Sequence, residues 1–154
     1  MDIGGIVLSA MFLIIFIVAT IKVNRLGEIE AETMIAVPEQ RWREQNEGQP
    51  EENRWTEIEK RLESANPSEW RVAIIEADIS LGEILTEAGY PGASIGEQLK
   101  GANPANFGTV ETAWQAHKVR NEIAHSGSDF ILTQKLARQT ITQYRQVFSE
   151  FGAI

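Results

Sequence analysis

The chain has no cysteine among its 154 residues. That excludes disulfides and thiolate metal ligands, and it fits a reducing, cytoplasmic setting for the part that folds. It also lacks any basic excess: 14 lysines and arginines stand against 22 aspartates and glutamates, for a formal net charge of −8. Residues 1–52 hold four basic and nine acidic side chains, and residues 53–154 hold ten and thirteen. The acidity is therefore concentrated at the N-terminal side. A domain of that sign has no broad field to gather nucleic acid, so any contact with RNA or DNA needs a local basic patch. There are only two histidines, His117 and His125. Gly89–Gly101 contains glycines but no Gly-Lys-Ser/Thr ending, so no phosphate loop is expected. No stretch alternates like a strand for more than a few residues.

Ile3 to Ile21 is a run of nineteen residues without a charge. As a helix rising ~1.5 Å per residue it spans about 28 Å, close to the ~30 Å hydrocarbon core of a bilayer. A cleaved signal peptide would carry positive charge before a shorter apolar region. Here the early charge is Asp2, and Lys22 and Arg25 follow the run instead. The expectation is a single-pass transmembrane helix over 3–22, with the N-terminus outside and the C-terminal domain in the cytoplasm. Residues 23–52 read as a juxtamembrane segment and a charged flexible linker. Leu26–Val37 could continue the membrane helix, Pro38 stops it, and Glu39–Asn53 has little to bury.

Helical periodicity begins near Asn53, and residues 53–154 read as one all-α domain. Trp55, Ile58 and Leu62 at i, i+3 and i+7 predict a helix over Arg54–Ser64. Asn66-Pro67 is a start signal for a long helix running to about Ala88, stopped by Gly89. A short helix is expected around Ile95–Lys100 inside a loop rich in glycine and proline. A long helix follows from about Thr109 to His125, ended by Ser126-Gly127. Thr133 caps a last helix striped by Ala137, Ile141, Tyr144, Phe148 and Phe151. The sum is a bundle of about four main helices without internal repeats.

Two polar intrusions mark the apolar faces. On a wheel of about 100° per residue, Ala113, Ala116, Val119, Ile123 and Ala124 share one arc, and Arg120 falls inside it. His117, Asn121 and His125 form a strip at i, i+4 and i+8 along its edge. On the preceding long helix Asp78 shares a face with Arg71, Ile74, Ile75, Leu81 and Leu85. A charge facing a core is costly unless paired, so Asp78 is expected to face Arg120 or one of the histidines. Two explanations stand side by side: an ion pair that joins two helices, or a working site. The two histidines alone do not build a metal site, because nearby Glu122 points to the opposite face. No metal and no cofactor is expected.

Arg120-Asn121-Glu122-Ile123-Ala124-His125 resembles the Arg-Asn-x-x-x-His signature of the HEPN superfamily of helical domains. From Trp70 onward the chain is similar to a group of small, membrane-anchored bacterial proteins of HEPN-like type. The likeness rests on Trp70–Asp78, Gly96-Glu97-Gln98-Leu99 and Trp114–Asn121. In ribonuclease-type members the resemblance implies a homodimer in which two copies of the motif meet and cleave RNA without metal. His125 would withdraw the ribose 2′-hydroxyl proton, and Arg120 would stabilise charge building on the phosphate. Asn121 would hold the phosphate or the imidazole, with Asp78 and His117 in support. Other HEPN-like domains are non-catalytic modules that dimerise or bind nucleotides or partners. The implied partners are thus the lipid bilayer, a second copy of the chain, and RNA. Catalysis requires Arg120, Asn121 and His125 to converge on an open cleft. An Arg120 buried against Asp78, with His125 elsewhere, favours the module.

Overall fold

The computed structural model describes Glu44, residues 48–126 and residues 129–154 of the chain. The expected membrane helix over 3–22, most of the 23–52 segment and Gly127 lie outside the described residues. Within them the structure is all-helical: α1 (Glu51–Leu62), α2 (Pro67–Glu87), α3 (Ile95–Gly101), α4 (Val110–Ser126) and α5 (Gln134–Glu150). No strand occurs among the described residues. None of their helices is long and apolar enough to cross a membrane.

Helix α1 begins three residues before the expected start, at Glu51, because the Pro50 carbonyl accepts from Asn53 N and Arg54 N and closes the first turn. Glu52, read as the end of the linker, thereby gains the favourable positive end of a helix. Asn66 caps α2 by accepting from Ser68 N at 3.0 Å, with Pro67 in the first turn. Gly89 ends that helix with φ +82°, which lets Tyr90 N reach back to Leu85 O. Ser94 caps α3, and Glu97 returns the contact by accepting from Ala93 N at 2.8 Å, a variant of the reciprocal capping box. Thr133 caps α5 by accepting from Leu136 N.

Helix α2 is the axis of the bundle. It packs against α1, α3, α4 and α5, which explains why residues on most of its circumference are buried, Ala73, Ala77, Ile79 and Ser80 included. The anticipated stripes are inside: Trp55, Ile58 and Leu62 of α1, and Ala137, Ile141, Tyr144 and Phe148 of α5. Trp55 meets Phe148 edge to face at 5.3 Å between centroids. Tyr90, Phe107 and Phe151 form a second aromatic cluster where α5 ends beside the loop leading into α4. Glu150 seals that end, accepting from Gly108 N at 2.7 Å, from Thr109 N at 2.8 Å and from the Thr109 hydroxyl.

Candidate functional site

Asp78 is the centre of the polar interior. It sits midway along α2 with 1% of its side chain exposed, facing α4 and α5. Its Oδ1 accepts from the Tyr144 hydroxyl of α5 at 2.8 Å and bonds Nδ1 of His117 on α4 at 2.8 Å. A carboxylate has no proton to give, so Nδ1 of His117 carries the hydrogen, and in the neutral ring Nε2 is left as an acceptor. The Nε of Arg120 lies 3.2 Å from Oδ2. That N–H is off line and makes no hydrogen bond. The contact is an electrostatic one between close charges, weaker in geometry than its distance implies. Arg120 Nη1 donates to Asn121 Oδ1 at 3.1 Å, and 12% of the Arg120 side chain is exposed.

Helix geometry explains the cluster. His117 and Arg120 are i and i+3 on α4, hence neighbours on one face, and Asp78 is the carboxylate that α2 sets opposite them. One negative and one positive charge roughly cancel, and two hydrogen bonds occupy Oδ1, as a buried charge requires. Tyr144 is fully buried. Burial, and then the neighbouring Asp78 charge and its hydrogen bond, push the phenol well above its ordinary range, with Arg120 opposing slightly. Tyr144 is therefore a permanent donor.

The structure thus places Asp78 against both Arg120 and His117. His125 is not part of this cluster. It lies two turns beyond His117 in the last turn of α4 and is exposed. Asn121 is half-buried and occupied by Arg120. Arg120 and Asn121 are joined by a hydrogen bond and Arg120 turns towards Asp78, whereas His125, one turn beyond Asn121, is exposed.

Two features of the polar interior have no counterpart in the sequence reading. The Tyr144 hydroxyl joins the cluster from the middle of an apolar stripe, where spacing gives no sign of which ring carries a bonded tip. Glu76, 6% exposed, is the other. It accepts from Arg61 Nε at 2.9 Å, while Arg61 Nη1 donates to Glu69 at 2.7 Å, clamping α1 to α2. Burial pushes the Glu76 carboxyl above its ordinary value, and the Arg61 charge only partly offsets this. An open depression of about 470 Å³ beside this clamp is lined by Glu57, Lys60, Arg61, Ser64, Asn66 and Glu69, none of them a candidate residue. Among the described residues no three His, Asp or Glu side chains cluster to hold a metal ion.

No family model matches the chain, and neither the curated proteins nor the solved structures compared with it give a match.

Proposed function

We propose that this chain is a membrane-anchored, HEPN-like helical module that acts by self-association or by binding a partner or nucleotide, with its Arg-Asn-x-x-x-His motif serving the fold more than catalysis. One observation carries the reading: Arg120 is held between Asp78 and Asn121, while His125 is exposed and outside the Asp78 cluster. An arginine already matched by a buried carboxylate is a poor clamp for a phosphate, because binding would first have to break that pair. The run of apolar residues over 3–22 supplies the membrane anchor, and its positive flank orients the domain to the cytoplasm.

The test uses the full chain in detergent micelles, mixed with labelled single-stranded RNA in EDTA over the concentration range where light scattering shows it to associate. The module reading expects association without cleavage. Cleavage leaving 2′,3′-cyclic phosphate ends, and abolished by His125→Ala, would overturn it.

A second reading, metal-independent RNA cleavage, has one observation in its favour. The chain holds a histidine whose Nδ1 is bonded to a buried carboxylate, the arrangement that fixes the tautomer and direction of a working imidazole. That histidine is His117.

A further inference from the structure

Helix α2 carries apolar residues on a second face. Ile74, Ala77, Leu81 and Leu85 belong to the main apolar cluster of the bundle. Val72, Ile75 and Ile79, at i, i+3 and i+7, line a different side of the helix. Ile75 touches the edge of the main cluster, while Val72 and Ile79 lie outside it. Ile79 is nevertheless only 3% exposed, and Val72 and Ile75 are half-buried. The contacts of α2 fall on either side of this stripe. On one flank Arg61 and Arg54 of α1 hold Glu76 and Glu83. On the other, Gly82 lies under Ile95 of α3 and Asp78 meets His117 of α4. An isoleucine sealed from water without joining the core is what a further segment laid along this face produces.

We propose that residues 26–37 of this same chain dock on the Val72–Ile75–Ile79 stripe, folding the juxtamembrane segment back onto the domain. The point of entry favours that occupant. Arg54 bonds Glu83 and Arg61 bonds Glu76, so α1 runs antiparallel to α2 and its first residue, Glu51, lies toward the Glu83 end of the stripe. Length permits the return. Residues 38–50 can extend over roughly 43 Å at ~3.3 Å per residue, and Val72 is only about 17 Å from Glu83 along α2 at ~1.5 Å per residue. The chemistry agrees as well. Leu26, Ile29, Ala36 and Val37 fall on one arc at about 100° per residue, an apolar counterpart to the stripe. Glu28, Glu30 and Glu32 give 26–37 three acids and no base. The stripe is bordered by Arg71, one turn before Ile75, and by Arg54, ion-paired with Glu83 one turn beyond Ile79. With the segment in place the outer face of α2 is closed, and self-association uses another face.

The experiment is photo-cross-linking of the full chain in detergent micelles. The sequence has no cysteine, so Ile29→Cys takes a benzophenone maleimide at a single site. The labelled chain is mixed with an equal amount of nitrogen-15 chain lacking the cysteine, illuminated, digested and mapped by mass. The expected product joins position 29 to the 72–79 stretch of the same chain. Val72→Asp, which sets a carboxylate among those glutamates, should lower the yield about tenfold or more, and Gln139→Asp on the exposed side of α5 should leave it unchanged. Both are compared at equal helicity by circular dichroism; if Val72→Asp does not fold, the mapped site decides alone. Cross-links to the nitrogen-15 copy at this stripe overturn the proposal in favour of a seam between two copies. Cross-links elsewhere on the domain or to detergent alone, or a yield unmoved by Val72→Asp, overturn it outright.

Discussion

The two halves of α4 share one strip of polar residues and meet opposite surroundings. In the middle of the helix His117 and Arg120 face α2 and are fixed on Asp78. In the last turn His125 is exposed. Position on the wheel does not separate them, since His117, Asn121 and His125 are successive members of one i, i+4 strip. Depth along the helix does. Asp78 lies opposite the middle of α4, so polar side chains there are desolvated, matched and rigid, while the same chemistry two turns later faces water. A motif is therefore not a unit of environment. Its arginine is bound into the fold and its histidine is available.

Several measurements would break or sharpen that contrast. The largest effect is expected for Asp78→Ala, which leaves Arg120, His117 and the Tyr144 hydroxyl unmatched in the interior. Breaking a buried charge pair costs about 3–5 kcal/mol, enough to unfold a marginal domain, whereas His125→Ala should stay within about 0.5 kcal/mol. Urea denaturation of the two variants checks this directly. Equal losses would erase the distinction between the halves of α4.

Tyr144→Phe comes next. It removes a single oxygen and with it a hydrogen bond to a buried carboxylate, so a loss of about 1.5–3 kcal/mol is expected in the same denaturation experiment. A neutral result would mean that Asp78 is satisfied without α5.

Smaller effects distinguish two carboxylates by the sign of their pH dependence. Slight burial works against the Glu150 charge, but the hydrogen bonds from the Thr109 side chain, Thr109 N and Gly108 N outweigh it and lower its pKa from 4.5. Its contribution is therefore present above that value and lost as pH falls through the lower, folded one. Glu76 is the reverse: burial raises its pKa above 4.5 in the fold. The folded state holds that proton more tightly, so this group opposes folding increasingly as pH rises from 4.5 through the raised value. Below 4.5 that opposition is absent. Stability followed from pH 3 to 7 should accordingly lose part of its acid-side decline in Glu150→Ala. Glu76→Gln should make the same decline steeper. Changes in slope of the same sign in the two variants, each measured against the unmodified chain, would contradict the assignment.

Much of this was legible in the sequence because it depends on local chemistry. The Asn66-Pro67 start, the Gly89 stop and the Thr133 cap each act within one turn, and the structure uses them where spacing predicts. The all-α class and the apolar stripes follow from periodicity, which survives whatever the partner helix is. Asp78 could be assigned a partner because an acid in an apolar stripe has few ways to be satisfied, though the wheel left three partners open and the fold took two. What stayed hidden depends on pairing across the bundle. Nothing local distinguishes Tyr144 from the rings beside it, and its role appears only when α5 is laid on α2. Nothing local marks Glu76 as buried, and its role appears only when α1 covers it and brings Arg61. The early start of α1 is a smaller case, in which Pro50 acts as a cap through its backbone carbonyl and its side chain gives no capping signal.

The most direct test of the central claim, that Arg120 is matched by Asp78 inside one subunit while His125 stands apart, is a pair of double-mutant cycles on unfolding free energy. One combines Asp78→Asn with Arg120→Gln, and the other combines Asp78→Asn with His125→Ala. A coupling of about 1 kcal/mol or more is expected in the first cycle and none beyond about 0.5 kcal/mol in the second. No coupling between Asp78 and Arg120, or a comparable one between Asp78 and His125, would contradict the account.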